Sequence, residues 1–421
     1  MPEMVTEEDA QYALDIITRI CTQAGPGLPA TPQERTRAAL LQQELAAHLG
    51  AEQVTVEEFT LAPRAFLGSL PIAALSSLVA VLLYIFTGRF LGISPWSTTL
   101  PALAFSTFSL LLVILEFTLG REFIDPFFPK QQSVNVVGAL RPREAKEVRR
   151  LLILSGHHDS APENTWLRLL GYGFLPASAL MFAGLIALFA MSLLQVAGLL
   201  TGRAEIDRLE TVEWGLVTFL ILPSIILMMF FTRGWKNGGK VPGAVDNLSA
   251  CALSVAMCRF PVRNPACLPE NTEIRFISFG SEEAAVRGSR RYVSCHLEEL
   301  KNLDVRVLNF EMVAYPEITI LATDANGTVK NSPQMVNSVA AAGERAGVPY
   351  RVQSSFFGGP GTDAAPFSQA GLKALTLLPF KMPQQMIAFY HQDRDRPEVL
   401  TLEPFLNVLE LSLEWIRCGG E

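Results

Sequence analysis

Charge is scarce in this chain of 421 residues: Asp, Glu, Lys and Arg make up 18%, against 49% hydrophobic residues. That balance lies on the membrane side of ordinary soluble composition. No cluster of Lys and Arg interleaved with aromatics occurs, and the net charge is −7, so nucleic acid is excluded as a partner. The cysteines, Cys21, Cys251, Cys258, Cys267, Cys295 and Cys418, show neither CxxC spacing nor a compact framework. This argues against a zinc ribbon and a disulfide scaffold, and scattered thiols favour a reducing compartment. Residues 1–9 are acidic and lack a basic segment followed by an apolar one, so no cleavable signal peptide is expected. Low-complexity linkers are absent too.

What is present in quantity is uninterrupted apolar sequence. Residues 65–88 carry no charge, and after Arg89 a second uncharged run spans 90–115. Two more follow at 169–202 and 214–232, joined by a charged connection at 203–213. A helix needs about 20 apolar residues to cross a hydrocarbon core, so the four runs read as two transmembrane hairpins in a multi-pass protein whose second partner is the lipid bilayer. Glu116 falls at the end of the second run, where the interface is expected to solvate it. Each hairpin returns the chain to its starting side. Near the membrane ends, Arg64, Arg121, Lys130, Arg168, Arg233, Lys236 and Lys240 lie on the side of the main domain, against Arg89, Arg203 and Arg208 on the other. The excess places the main domain in the cytoplasm.

The rest alternates helical and strand patterns. Helices are expected at 6–21, with Thr6 as N-cap, and at 31–48, opened by Pro32 and Glu34, with a short strand at 53–59. Strands are expected at 133–140, 151–154, 274–279, 305–310, 318–322 and 374–378, and helices at 248–259, 289–300, 332–346 and 403–418.

Three of these apolar strands run straight into candidate ligands. Residues 151–154 precede His157, His158 and Asp159; 274–279 precede Glu282 and Glu283; 305–310 precede Glu311. Sites in open α/β sheets lie at the carboxyl ends of strands, so residues distant in sequence can converge at one edge. Asp246, before a helix, and His391, in a loop before the last one, can reach the same edge. Singly each has a plain alternative: turn histidines, a helix N-cap at Asp246, a solvated acidic loop at Glu282–Glu283, a strand end at Glu311, a surface residue at His391. Together, histidines and carboxylates form the N/O donor set that suits zinc.

In these residues the chain resembles the co-catalytic zinc aminopeptidase family, which also contains the glutamate carboxypeptidases and, as a divergent branch, the glutaminyl cyclases. Its His-x-Asp motif is matched by His157-His158-Asp159, its Asp-Asn-x-Ser motif by Asp246-Asn247-Leu248-Ser249, and its Glu-Glu motif by Glu282-Glu283. Asn309-Phe310-Glu311-Met312 matches an Asn-x-Asp-Met element with Glu for Asp, and Tyr390-His391 matches the Tyr-His element, with Asp395 and Pro397 following as usual. The loop 362–367 departs by lacking the family's His after Asp363.

The resemblance implies an α/β fold, a mixed β-sheet sandwiched by helices, divided by the hairpins: peptidase segments at 1–64, 121–168 and 233–421, hairpins at 65–120 and 169–232. It implies two zinc ions, with Asp246 bridging them, His157 and Glu311 completing one site, and Glu283 and His391 the other. Asp159 is then the carboxylate that orients His157, and Glu282 the general base that deprotonates the attacking water. The expected activity is aminopeptidase hydrolysis of peptide substrates. Two alternatives stay open: glutaminyl cyclase-like acyl transfer, and a non-catalytic membrane scaffold. The hairpins serve either as anchors or also as a wall restricting access. Nothing in the sequence sets the oligomeric state.

Overall fold

The computed structural model describes residues 5–86, 94–141, 147–202, 210–232, 241–265, 268–355 and 359–421. Arg89, Arg203, Arg208, Arg233, Lys236, Lys240 and Cys267 lie outside the described residues. The chain divides into two compact units, one from Met1–Pro63, Lys130–Glu163 and Gly239–Glu421, the other from Arg64–Pro129 and Asn164–Gly238.

The first unit opens with helices α1 (Glu7–Ala24) and α2 (Pro32–Leu49) and strands β1 (Val54–Leu61), β2 (Gln131–Leu140) and β3 (Arg150–His157). It continues, beyond the second unit's elements, with α9 (Ser249–Arg263), β4 (Thr272–Phe279), α10 (Arg287–Lys301), β5 (Asp304–Phe310), β6 (Ile318–Asp324), β7 (Val329–Lys330), α11 (Pro333–Ala346), β8 (Tyr350–Ser354), α12 (Ala364–Gln369), β9 (Lys373–Leu378), α13 (Gln384–Ala388) and α14 (Leu402–Arg417). The strands form one mixed sheet in the order β1-β2-β4-β3-β5-β9-β6-β7, with β8 paired to β6.

Its centre, β4-β3-β5-β9, is parallel, and these strands are almost wholly buried. Strands covered on both faces read as continuous apolar runs, which is why they are visible in the sequence. One face carries α10 and α12, whose Tyr292, Val293, Leu300 and Phe367 pack on Leu151, Ile153, Ile277, Phe279, Val305 and Val307. The other face is covered by α9, with α1, α2 and α14 packed around it. Gly156 permits that approach: a Cβ there would lie 2.4 Å from Ala250 Cβ.

The second unit holds α3 (Ala65–Phe86), α4 (Trp96–Leu112) continued by π-type turns over Val113–Thr118, α5 (Thr165–Leu170), α6 (Phe174–Thr201), α7 (Glu210–Leu216) and α8 (Leu222–Met229). Four helical stretches are long and apolar enough to cross a membrane: Ala65–Phe86, Trp96–Thr118, Thr165–Thr201 and Thr211–Met229. Small polar residues join them, the mode of packing expected where lipid and protein are equally apolar. Ser77 Oγ lies 2.7 Å from Ser109 Oγ, which donates to Ala73 O at 2.8 Å, and Ser224 Oγ donates to Met181 O at 2.7 Å. Phe66, Phe117, Phe231 and Phe174 form a chain of ring contacts that ties one end of all four stretches together.

One expectation is corrected here. Glu116 is fully buried instead of being solvated at an interface, and its Oε2 accepts from Phe123 N at 2.8 Å and Ile124 N at 3.1 Å. The carboxylate accepts from the backbone of the segment that follows the helix, so its charge is held by N–H groups of the chain instead of by water. Strands β7 and β8 and helices α5, α12 and α13 were not expected; all are short, and the exposed β8 lacks an alternating apolar pattern.

Candidate metal centre

The carboxyl ends of β3, β4 and β5 deliver their side chains to one edge of the sheet. β3 ends at His157, β4 is followed by a turn carrying Glu282 and Glu283, and Glu311 follows β5 directly. The turn before α9 adds Asp246 and the segment after α13 adds His391. His157 Nε2 lies 3.3 Å from Asp246 Oδ1, 3.3 Å from Glu311 Oε1 and 3.6 Å from Glu282 Oε2. His391 Nε2 lies 3.1 Å from Asp246 Oδ2 and 3.2 Å from Glu283 Oε1. Asp246 thus faces two separate groups, His157 with Glu311 and His391 with Glu283, through different oxygens.

This donor set fits zinc. Ligands placed tetrahedrally at about 2.0–2.1 Å from the ion stand about 3.3 Å from each other, which matches the separation of each imidazole from its two carboxylates. Each group joins imidazole to carboxylates, and their ligand atoms lie within 4.8 Å of one another. Glu283 Oε1 is buried and meets the His391 ring at 3.2 Å without a well-formed hydrogen bond. The carboxylates of Asp246, Glu282, Glu283, Glu311 and Asp363 outnumber the two imidazoles, an excess that calls for cations.

The same crowding shifts the proton affinities of these groups. Burial lowers the affinity of His157 for protons, but Glu282, Asp159, Asp246 and Glu311 outweigh it and hold the ring well above its usual value. His391 is likewise pulled down by burial and lifted by Glu283 and Asp246, to about 10. Burial raises Glu282 well above the usual carboxylate range, and raises Glu311 and Asp363 to about 7. Asp246 is lowered, because the two imidazoles overcome its burial.

The surrounding chain holds these groups by their backbone. Asp159 Oδ1 lies 3.2 Å from His157 Nδ1, and its two oxygens accept from Glu282 N at 3.0 Å and Glu283 N at 2.9 Å. Asp395 accepts from Val245 N at 2.6 Å and Asp246 N at 3.1 Å. Asn247 donates to Phe310 O at 3.1 Å and accepts from Met312 N at 3.0 Å, bracketing Glu311. Ser249 Oγ accepts from Val313 N at 3.0 Å and donates to Val245 O at 2.6 Å, so it braces the segment after Glu311 against the turn that carries Asp246. Gly243, at φ +69°, has no room for a Cβ, which would lie 2.7 Å from Ser160 Cβ. Glu282 and His391 keep 13% and 20% of their side chains exposed, against 1% for His157, so the site opens on their side.

Two contributors carried no sequence signal. Arg37 is fully buried and donates to Gly25 O, to His158 O at 3.2 Å and to Pro242 O, tying together segments next to His157 and Asp246. Glu34, one turn earlier on α2, accepts from the turn that carries Glu282. The pattern Thr31-x-x-Glu34 reads as an ordinary helix capping box, which conceals that role.

A paired constellation of imidazoles and carboxylates at the ends of parallel strands, on this sheet, has the fold of the zinc-dependent exopeptidases. Solved structures agree on the fold: BSAP, a zinc aminopeptidase from Bacillus subtilis, aligns at a TM-score of 0.53 with 16% identity over 96% of this chain and 94% of that one. An Acidobacteriales bacterium glutaminyl cyclase aligns at 0.54 with 11% identity over 99% and 96%. In sequence, residues 232–416 match the family model described as Peptidase family M28. Aminopeptidase YwaD from Bacillus subtilis (strain 168) is 30% identical over 180 residues, 42% of this chain and 37% of that protein, so the chain matches little more than a third of this relative's length. The resemblance read from the motifs is borne out. His157 and Asp159 lie outside the residues matched by the family model, and only the fold brings them to Asp246 and Glu282.

Proposed function

We propose that this protein is a membrane-embedded zinc aminopeptidase, with His157, Asp246 and Glu311 holding one ion and Asp246, Glu283 and His391 a second. The observation that carries the reading is the placement of the Asp246 oxygens toward two complete donor groups. Zinc, when bound there, supplies Lewis acidity that polarises the scissile carbonyl and acidifies the attacking water. Glu282 is the general base: it stands beside both groups, retains solvent access, and burial gives its carboxyl a raised proton affinity suited to taking a proton from water and passing it to the leaving amine. Asp159 is its partner, fixing the Glu282 backbone and the His157 ring together.

The substrate is a peptide with a free N-terminus. The four apolar helices span the bilayer as two hairpins, and the catalytic unit faces the cytoplasm. The test is Glu282→Gln: metal content is expected to stay at two zinc ions per chain while hydrolysis of aminoacyl substrates falls about 10²- to 10⁴-fold. Equal turnover by the variant would sink the mechanism. The likeness in fold to glutaminyl cyclases favours a second reading, intramolecular attack by the substrate's own amine; a single zinc per chain with cyclisation of N-terminal glutamine would establish it instead.

A further inference from the structure

Glu34 is fully buried, lies outside the donor groups, and yet spends its whole carboxylate on the segments around them. Its Oε1 accepts from both Ser281 N and Ser281 Oγ, each at 2.7 Å, and its Oε2 accepts from Ala30 N at 2.7 Å and Ser133 Oγ at 2.9 Å. In a regular capping box the glutamate at the third helical position returns to the N–H of the capping residue. Here the Thr31 side chain does accept from Glu34 N, but the Glu34 carboxylate crosses to β2 and to the turn after β4.

That turn is conformationally demanding. Ser281 sits at φ 54°, ψ 40°, a left-handed conformation in which the Cβ crowds the backbone and which residues other than Gly, Asn and Asp seldom adopt. Ser281 immediately precedes Glu282, so its φ and ψ set the direction in which the next side chain leaves. Glu34 holds Ser281 by two donors on one oxygen, and Asp159 then holds the N–H groups of Glu282 and Glu283. Three consecutive peptide N–H groups are thereby fixed by two buried carboxylates. One follows β3, and the other comes from α2, 247 residues away in sequence from Ser281.

We propose that Glu34 is a positioning residue for the reaction: it holds Ser281 in the left-handed conformation and so aims the Glu282 carboxyl at the donor groups. The proposal rests on the reading of Glu282 as general base. Glu34→Gln keeps the volume but turns one accepting oxygen into an NH2 that faces donors. Its kcat on an aminoacyl substrate is expected to fall on the order of 10- to 100-fold, the effect of a small misplacement at a reacting group, with KM and zinc content held. Backbone amide exchange at 281–283 accelerates in the same variant. Glycine adopts positive φ without steric cost, so adding Ser281→Gly to Glu34→Gln recovers most of the lost kcat.

A role confined to folding predicts a lower unfolding temperature, unchanged kcat and no recovery by Ser281→Gly, and that outcome overturns the proposal. Should Glu34→Gln fail to fold, Ser281→Ala, which deletes only the hydroxyl donor, is expected to lower kcat by about threefold to tenfold at unchanged KM; unchanged kcat overturns the proposal equally. The exchange measurement needs no substrate. A wild-type chain that hydrolyses nothing, while exchange at 281–283 still responds to Glu34→Gln, removes the peptidase reading and leaves Glu34 as the holder of the turn. An active wild type with unaltered kcat and exchange in Glu34→Gln removes the positioning role alone.

Discussion

Asn247 shows how a single side chain couples two parts of the centre. Its neighbour Asp246 faces both donor groups, while its own amide reaches Phe310 O and Met312 N on either side of Glu311. Asn247→Ala leaves that carbonyl and that N–H buried and unmatched, at a cost of about 1–3 kcal/mol each. We expect zinc affinity, read by chelator competition, to drop about 10- to 100-fold, because the support of Glu311 is lost; undiminished affinity would mean the amide supports only the fold. At this scale the sequence was informative wherever a motif compresses function and support into a few adjacent residues, as in Asp246-Asn247-Leu248-Ser249. It was silent about Arg37 and Glu34, because a charged residue on an amphipathic helix looks the same whether it faces water or a site.

At the scale of elements, the parallel strands do two things: their carboxyl ends carry the site and their amino ends carry ion pairs. Asp304, at the start of β5, meets Lys373 Nζ at 2.6 Å on β9, Arg306 at 2.8 Å and Arg150 at 3.2 Å on β3. Partial burial pushes its carboxyl up, but Lys373 and Arg306 prevail and hold it at about 2. A depressed carboxylate stabilises the fold above its unfolded value, near 3.9, and that contribution is lost as the pH falls toward the folded value. Thermal unfolding of the purified protein should therefore lose stability between about pH 4 and pH 2, and Asp304→Asn should flatten that limb; an identical acid limb in the variant would remove Asp304 as its source. The central strands were legible because burial on both faces leaves them mostly apolar, with charge confined largely to their amino ends. Strand β8, exposed and irregular, offers no such pattern, and Glu116 was misread because an acid at the end of an apolar run does not reveal where the chain turns next.

For the whole molecule, the proposed cytoplasmic placement of the first unit has a direct test. Cys295, exposed on α10, is a reporter already in place. With the unit in the cytoplasm, a membrane-impermeant thiol reagent should label it only after cells are permeabilised, with Cys295→Ser as the blank; labelling on intact cells would reverse the orientation. The sequence by itself determined the elements whose causes are local: the long apolar runs, the buried strands, and the motifs in which a ligand directly follows a strand. Only the tertiary structure decided which distant groups meet. Asp159 serves the His157 ring and the Glu282 backbone at once, Arg37 ties together the segments beside His157 and Asp246, and Glu34 reaches the Ser281 turn across the sheet edge. The physical reason is that such placements depend on strand order and crossovers, which hydrogen bonding between distant segments settles and no local pattern of residues encodes.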